Sequence, residues 1–308
     1  MATVNSGSIP QESLDEVTPG IEQPLSAWAD EICMRRTDVT SIKGSAPTFS
    51  NEMTTSRGLN KDLAPGETAR ASRGDMGEVE FHCLRQSGLS EIYDESDIAA
   101  SRFDISLIEH YFGQAEQDAA TATDKKLQEV LESTTLNLEF DATSDGNGAW
   151  TDTTNGTPAQ DMVDMSDLVP HATKVVVGRN VVSALRKHPE TMGEIINYSG
   201  GGVMTPDHIQ TIIASIFDVD VDDVHMLTRS TFNDSEFGDD YELGFLFGDI
   251  FWAGAGYDLQ LFDPDHQKNR YSFSQRVEAA AKEQVGFHRY VDIKRLIREN
   301  GVTCSNAV

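Results

Sequence analysis

Apolar and polar residues are arranged along this chain in three regimes. From Met1 to about Gly77 they follow no period, because Ser, Thr, Gly, Pro and charged residues separate the apolar side chains too widely for a helix stripe or an alternating strand. The segment reads as an extended arm, with a disordered tail as the competing reading. Inside it, Leu25, Trp28, Ala29, Ile32 and Met34 have roughly helical spacing and predict one anchored turn of helix whose natural partner is a neighbouring subunit. Residues Glu78 to Arg85 then alternate, with Val79, Phe81 and Cys83 opposing Glu78, Glu80 and His82, and Gln86-Ser87-Gly88 offers a turn before Leu89 to Tyr93. This predicts a two-stranded hairpin, which is marginal in water without something to pack on.

The second regime is helical. Ser106 and Glu109 have capping-box spacing, and Ile108, Tyr111, Phe112, Ala115, Ala119, Ala122, Val130, Leu131 and Thr134 recur at helical intervals, predicting a helix from about 104 to 137. Such a helix is roughly 48 Å long, a strut rather than a packing unit of one small lobe. Ala and Thr in its middle break any heptad, which argues against a coiled coil.

The third regime mixes periods. A turn-rich stretch, Asp145-Gly146-Asn147-Gly148, precedes Trp150 and Asp152, and a new α/β segment begins at Pro158. Lys174 to Val177 reads as a strand and Asn180 to Lys187 as a helix stopped by His188-Pro189. Thr205-Pro206 reads as an N-cap with proline at the first helical position, opening a helix that buries Ile209, Ile212, Ile213 and Ile216. Strands are predicted at Val224 to Leu227, Leu243 to Trp252, Tyr271 to Val277 and Val285 to Ile293, with a turn at Asp263-Pro264-Asp265. The order is α+β, not a regular βαβ winding.

Charge narrows the function classes. The 308 residues include 51 acidic and 24 basic side chains, a formal net charge of −27, and Lys/Arg never cluster beyond a dipeptide. Such a surface repels nucleic acid, so the chain suits a container for DNA better than a protein that grips phosphates. Only nine of the cations are Lys, and Asp outnumbers Glu by 29 to 22. That bias suits molar salt, where the Debye length is about 3 Å and repulsion between carboxylates is screened, so a halophilic host is one reading and an ordinary acidic protein the other. Cys33, Cys83 and Cys304 are far apart with no Cys-x-x-Cys spacing, so reduced thiols are expected. The N-terminus has no signal-peptide pattern, and no apolar run approaches the roughly 20 residues of a membrane span, from which cytoplasmic synthesis follows as an expectation.

Candidate chemistry is sparse. The run Asp218-Val219-Asp220-Val221-Asp222-Asp223 places Asp218, Asp220 and Asp222 on one face if it is a strand, a set of hard oxygen ligands for calcium or magnesium should another loop contribute. It lacks the glycine and distant glutamate of an EF-hand loop, and the plainer reading is a solvated strand edge that discourages stray pairing. Ser199-Gly200-Gly201-Gly202 has no following Lys-Ser/Thr and reads as a loop. The eight histidines show no His-Glu-x-x-His spacing and no Gly-x-Ser-x-Gly elbow is present, so no catalytic residue and no cofactor is assigned.

The segment Trp150-Thr151-Asp152, residues Pro158 to Val169, Lys174 to Arg179 and Ala184-Leu185-Arg186-Lys187-His188-Pro189, taken in this order, resembles major capsid proteins of tailed viruses, bacteriophage or haloarchaeal, with the Hong Kong 97 fold. Thr205 to Phe217, Asp218 to Leu227, Leu243 to Gly248 and Val285 to His288 extend the likeness, which covers about Gly77 to Val308. The resemblance implies an N-terminal arm at 1–76, an E-loop hairpin at 77–103, a peripheral lobe at 104–158 and 265–308 containing the spine helix (104–137), and an axial lobe at 159–264. It further implies a non-enzymatic subunit that self-assembles through hexamers and pentamers into an icosahedral shell in the host cytoplasm, enclosing double-stranded DNA without binding it specifically. Because no long charged coiled coil precedes the arm, separate scaffolding proteins are expected beside portal or decoration proteins, and no membrane. An encapsulin-like cellular cage shares the fold and is the nearest alternative; an acidic metal-binding protein is the alternative from another class.

Overall fold

Val175, Val176 and Val177 are all fully buried, and a strand buried on both faces must lie between two layers. The computed structural model describes residues 28–49, 76–93, 107–191, 205–227, 231–233, 243–264, 270–277 and 281–308. Its helices are α1 (Trp28–Ile32), α2 (Leu107–Glu132), α3 (Pro158–Leu168), α4 (Arg179–Lys187) and α5 (Pro206–Phe217). Strands β1 (Arg35–Val39), β2 (Lys43–Phe49), β3 (Met76–His82), β4 (Leu84–Tyr93), β5 (Leu138–Asp141), β6 (Lys174–Gly178) and β7 (Val224–Leu227) come from the first three quarters of the chain. The rest are β8 (Thr231–Asn233), β9 (Leu243–Phe245), β10 (Phe251–Gly254), β11 (Leu259–Pro264), β12 (Arg270–Val277), β13 (Lys282–Arg295) and β14 (Gly301–Ser305).

Two five-stranded sheets result. The first has the order β1-β11-β13-β12 with β4 also paired to β13; the second has the order β5-β14-β10-β6-β7. In the second sheet the period of two sorts neighbours to opposite faces. Val175, Val177, Phe251 and Ala253 face Met162, Met165, Leu185, Ile213 and Phe217 of α3, α4 and α5. Val176 and its cross-strand partner Trp252 face Ala29, Ile32, Leu127 and Leu131 of α1 and α2. Helix α2, about 39 Å long, spans both sheets: Ala115 and Ala119 lie on Ile92, Val285 and Phe287 near β4 and β13, and Leu127 and Leu131 lie on the second sheet.

Several expectations need correction. Gln86-Ser87-Gly88 is not a turn: it lies inside β4, whose whole length pairs antiparallel with β13, while β3 pairs instead with β2. The alternation in both segments is satisfied by partners far away in sequence, so no local hairpin forms. The helix turn at Trp28, expected to find its partner on a neighbouring subunit, packs on Leu127, Leu131 and Trp252 of its own chain, and Arg35–Val39 behind it runs parallel to β11. The long helix ends at Glu132 because Ser133–Asn137 turn away, Asn137 capping the last carbonyls by donating to Val130 O at 2.8 Å and Leu131 O at 3.1 Å; the Ser106 cap lies outside the described residues. The predicted strand from Leu243 to Trp252 is broken by a turn in which Phe247 takes a left-handed φ of 57°. Asp263 and Pro264 are the last two residues of β11, and Asp265 of the expected turn lies outside the described residues. The second sheet draws β5 and β14 together with β6, β7 and β10. No described helix is long and apolar enough to cross a membrane.

Candidate functional site

The acidic run was the one metal-site candidate, and its geometry differs from the expected strand face. Asp218 ends α5 with a left-handed φ of 53°, Asp220 precedes a 3-10 turn at Val221–Asp223, and Asp222 lies within that turn. Successive side chains therefore do not alternate, and the three carboxylates share no strand face. Asp218, Asp220 and Asp223 line a cleft of about 270 Å3 with Ala172, Thr173 and Val219, whereas Asp222 does not. Asp223 is already engaged by Lys174 Nζ at 2.5 Å. Among the described residues no group of three His, Cys, Asp or Glu side chains could hold a metal ion.

Buried polar chemistry concentrates instead where α1, α2 and β13 meet. Asp124 of α2 accepts the Ala29 N–H at 3.0 Å, which serves an otherwise orphaned donor at the start of α1. Burial pushes the Asp124 carboxyl up to about 7, against the opposing pull of the Ala29 and Trp28 N–H groups. Arg289 of β13 grips Asp30 with both guanidinium nitrogens, at 2.9 and 2.5 Å. Lys126 Nζ donates to Val291 O at 2.8 Å, and Asp292 Oδ2 accepts the His82 N–H at 2.7 Å, so β13 also holds α2 and the β3–β4 junction. Arg36 pairs with the buried Asp263 where β1 joins β11. At the far end of β13 the Arg295 guanidinium lies 5.4 Å over the Trp252 ring, tying the first sheet to the second.

None of this assembles a nucleophile with a base. All three cysteines are buried free thiols; burial raises Cys83 to about 11 and Cys304 to about 12, and raises Cys33 further, so their reactive thiolates are suppressed. His225 is pushed down to about 4 by burial and the nearby Lys174 ammonium, which keeps it neutral against Trp28. Sequence reasoning missed Asp124 and Arg289. Asp124 left a readable trace, a charged residue on the α2 stripe one turn from Leu127 and two from Leu131; Arg289 left none, because its partner is 259 residues away. Several large apolar side chains face outward: Leu89 and Tyr93 on β4 are each 51% exposed, and Val163 and Leu168 of α3 are exposed as well.

No family model matches the sequence, and no curated protein matches it either. Likeness of fold runs the length of the chain. A phage-related protein from Bordetella bronchiseptica RB50 aligns over 98% of both chains at 14% identity with a TM-score of 0.69. A capsid protein assigned to a prophage of Escherichia coli CFT073 aligns over 97% of this chain and 99% of its own at 11% identity, TM-score 0.57. The encapsulin of Synechococcus elongatus PCC 7942 covers 92% of this chain and 88% of its own at 8% identity, TM-score 0.50. The chain has the mixed α+β fold of phage capsid proteins, a fold that an encapsulin shares.

Proposed function

We propose that this chain is the major capsid protein of a tailed virus, with the Hong Kong 97 architecture, whose copies form hexamers and pentamers of an icosahedral shell around double-stranded DNA. The observation that carries the reading is the near-complete mutual coverage with a prophage capsid protein, 97% of this chain and 99% of that one. On this reading the subunit is not an enzyme, it assembles in the host cytoplasm with separate scaffolding, portal or decoration proteins, and it encloses DNA without gripping it. The formal charge of −27 supports the last point and a salty working solvent, because screened carboxylates neither adhere to packaged phosphates nor aggregate.

The encapsulin likeness supports a second reading, a cellular cage around protein cargo. Negative-stain electron microscopy with light scattering, on protein purified in high salt, tests both. Uniform closed shells are expected, and shells recovered from producing cells should protect double-stranded DNA from nuclease; protein cargo without DNA would favour the cage. A monomer at every salt concentration, with scaffold supplied, would refute both. Shells unaffected by dilution of salt would remove the halophilic part alone.

A further inference from the structure

The helices over one face of the second sheet carry opposite charge. Helix α4 buries Val181, Val182, Ala184 and Leu185 and turns Arg179, Asn180, Arg186 and Lys187 outward. With Ser183 these outward positions share an arc of about 120° at 100° per residue. The helix has no acidic residue, in a chain whose net charge is −27. Arg186 and Lys187 form no ion pair among the described residues.

Helix α3 is the reverse. It buries Asp161, Met162 and Met165 and exposes Val163, Asp164, Asp167 and Leu168, with no basic residue in its last turn. Val163 is 41% exposed and Leu168 46%, so two large apolar side chains flank the carboxylates. Both helices pack against α5, and the Ala159 N–H donates to Glu190 Oε2 at 3.2 Å where the start of α3 meets the segment after α4. Each charged face is thus turned away from the support the helices share, and no described ion pair joins them within one chain.

We propose that the α4 face of one copy docks on the α3 face of a second copy, with Arg186 and Lys187 set against Asp164 and Asp167, and Val163 and Leu168 covered at the edges of the contact. The proposal rests on the shell reading and names a surface that orders neighbours within it. A contact between two different faces is heterologous; it propagates head to tail and closes into a ring when the rotation permits. A nucleic acid would satisfy the cations but be repelled by the acidic remainder and leave Val163 and Leu168 bare, whereas a second copy answers both faces at once. Molar salt suppresses the long-range repulsion between copies, and ion pairs in contact, at about the 3 Å Debye length, are the last interactions it screens. Cations in the last turn of α4 also complement the helix dipole, a role that needs no partner and ignores the charge of α3.

Exchanging the charges separates the two roles. Wild-type protein is assembled first, with scaffold supplied; if it stays monomeric at every salt concentration, the shell reading falls and the interface with it. Given wild-type shells, R186E/K187E alone and D164K/D167K alone should each lower the assembled fraction by at least about tenfold in light scattering, with R186Q/K187Q in between. Circular dichroism and thermal melting verify that each variant is folded. The chain carrying all four exchanges has its complementarity restored and should assemble as wild type does. Shells from either folded exchange variant at wild-type yield would overturn the interface and leave the shell reading standing, and so would failure of the folded four-exchange chain to recover.

Discussion

The second sheet and the first meet their neighbours by different means. In the second, Val175 to Val177 and Phe251 to Ala253 are wholly buried between two helical layers, and fit is by shape. In the first, β13 threads past α1, α2 and β4 with Arg289, Asp292 and Arg295 buried along it, and fit is by pairing. Apolar contact is strong but undirected, while a buried ion pair is costly to leave half made and so fixes one arrangement. The difference suggests that the second sheet supplies stability and the β13 seam supplies register, including the seating of the N-terminal segment through Asp30.

The largest effect that would break this comparison is expected at Gly178, between β6 and α4. A Cβ there would strike the carbonyl oxygens of Phe247 and Gly248, both backbone atoms unable to swing away. Gly178→Ala should therefore cost more than about 4 kcal/mol and leave little folded protein by circular dichroism, overpacking at backbone being among the severe mechanisms. A soluble variant with wild-type melting would show the second sheet to be far less rigid than its burial implies.

Next comes the seam. Arg289→Ala removes two charge-assisted hydrogen bonds from the Asp30 carboxylate and should cost about 3 kcal/mol in urea unfolding, whereas R289M/D30L, which removes both charges, should recover most of the loss. Equal losses from the single and double changes would mean that packing, not pairing, holds the seam.

Smaller still is the effect of pH at Asp124. Its folded carboxyl is raised to about 7 by burial while an unfolded Asp titrates near 3.9, so the folded state keeps a proton that the unfolded state releases. Stability conferred by that retained proton is present at low pH and is lost as pH rises from about 4 to about 7, with the full penalty above that. Asp124→Asn should accordingly be more stable than wild type at pH 8, on the order of 2 kcal/mol, with the gap closing toward pH 4. A gap that does not vary with pH would assign the effect to hydrogen bonding alone. The smallest change is expected outside both regions: Val221→Ser, in the exposed 3-10 turn, should stay within about 0.5 kcal/mol by thermal melting.

How far the sequence could be read follows the range of the forces. Lys174–Gly178, Arg179–Lys187, Pro206–Phe217 and Val224–Leu227 match the sequence reading to within a residue or so, because each is framed by local signals: a β-branched run, His188-Pro189, or Thr205-Pro206. Strands β5 and β14 were missed. Each is four or five residues long, and their parallel pairing across more than 160 residues leaves no local trace. At the candidate metal site, the alternating acids misled because Asp218 is the last cap of a helix, and its left-handed backbone resets the direction of every side chain after it.

By itself, the sequence determined the acidic surface, the long Ala-rich helix, the helices α4 and α5 and the ordered series of elements, because charge and periodicity act over a few residues. Only the tertiary structure decided that β4 pairs with β13 and β3 with β2, that the Trp28 helix seats on Asp124 and Arg289 of its own chain, and which faces remain outward. Strand partners and ion pairs are chosen among many sterically equivalent possibilities across hundreds of residues, and that choice is made by the mutual fit of the whole core.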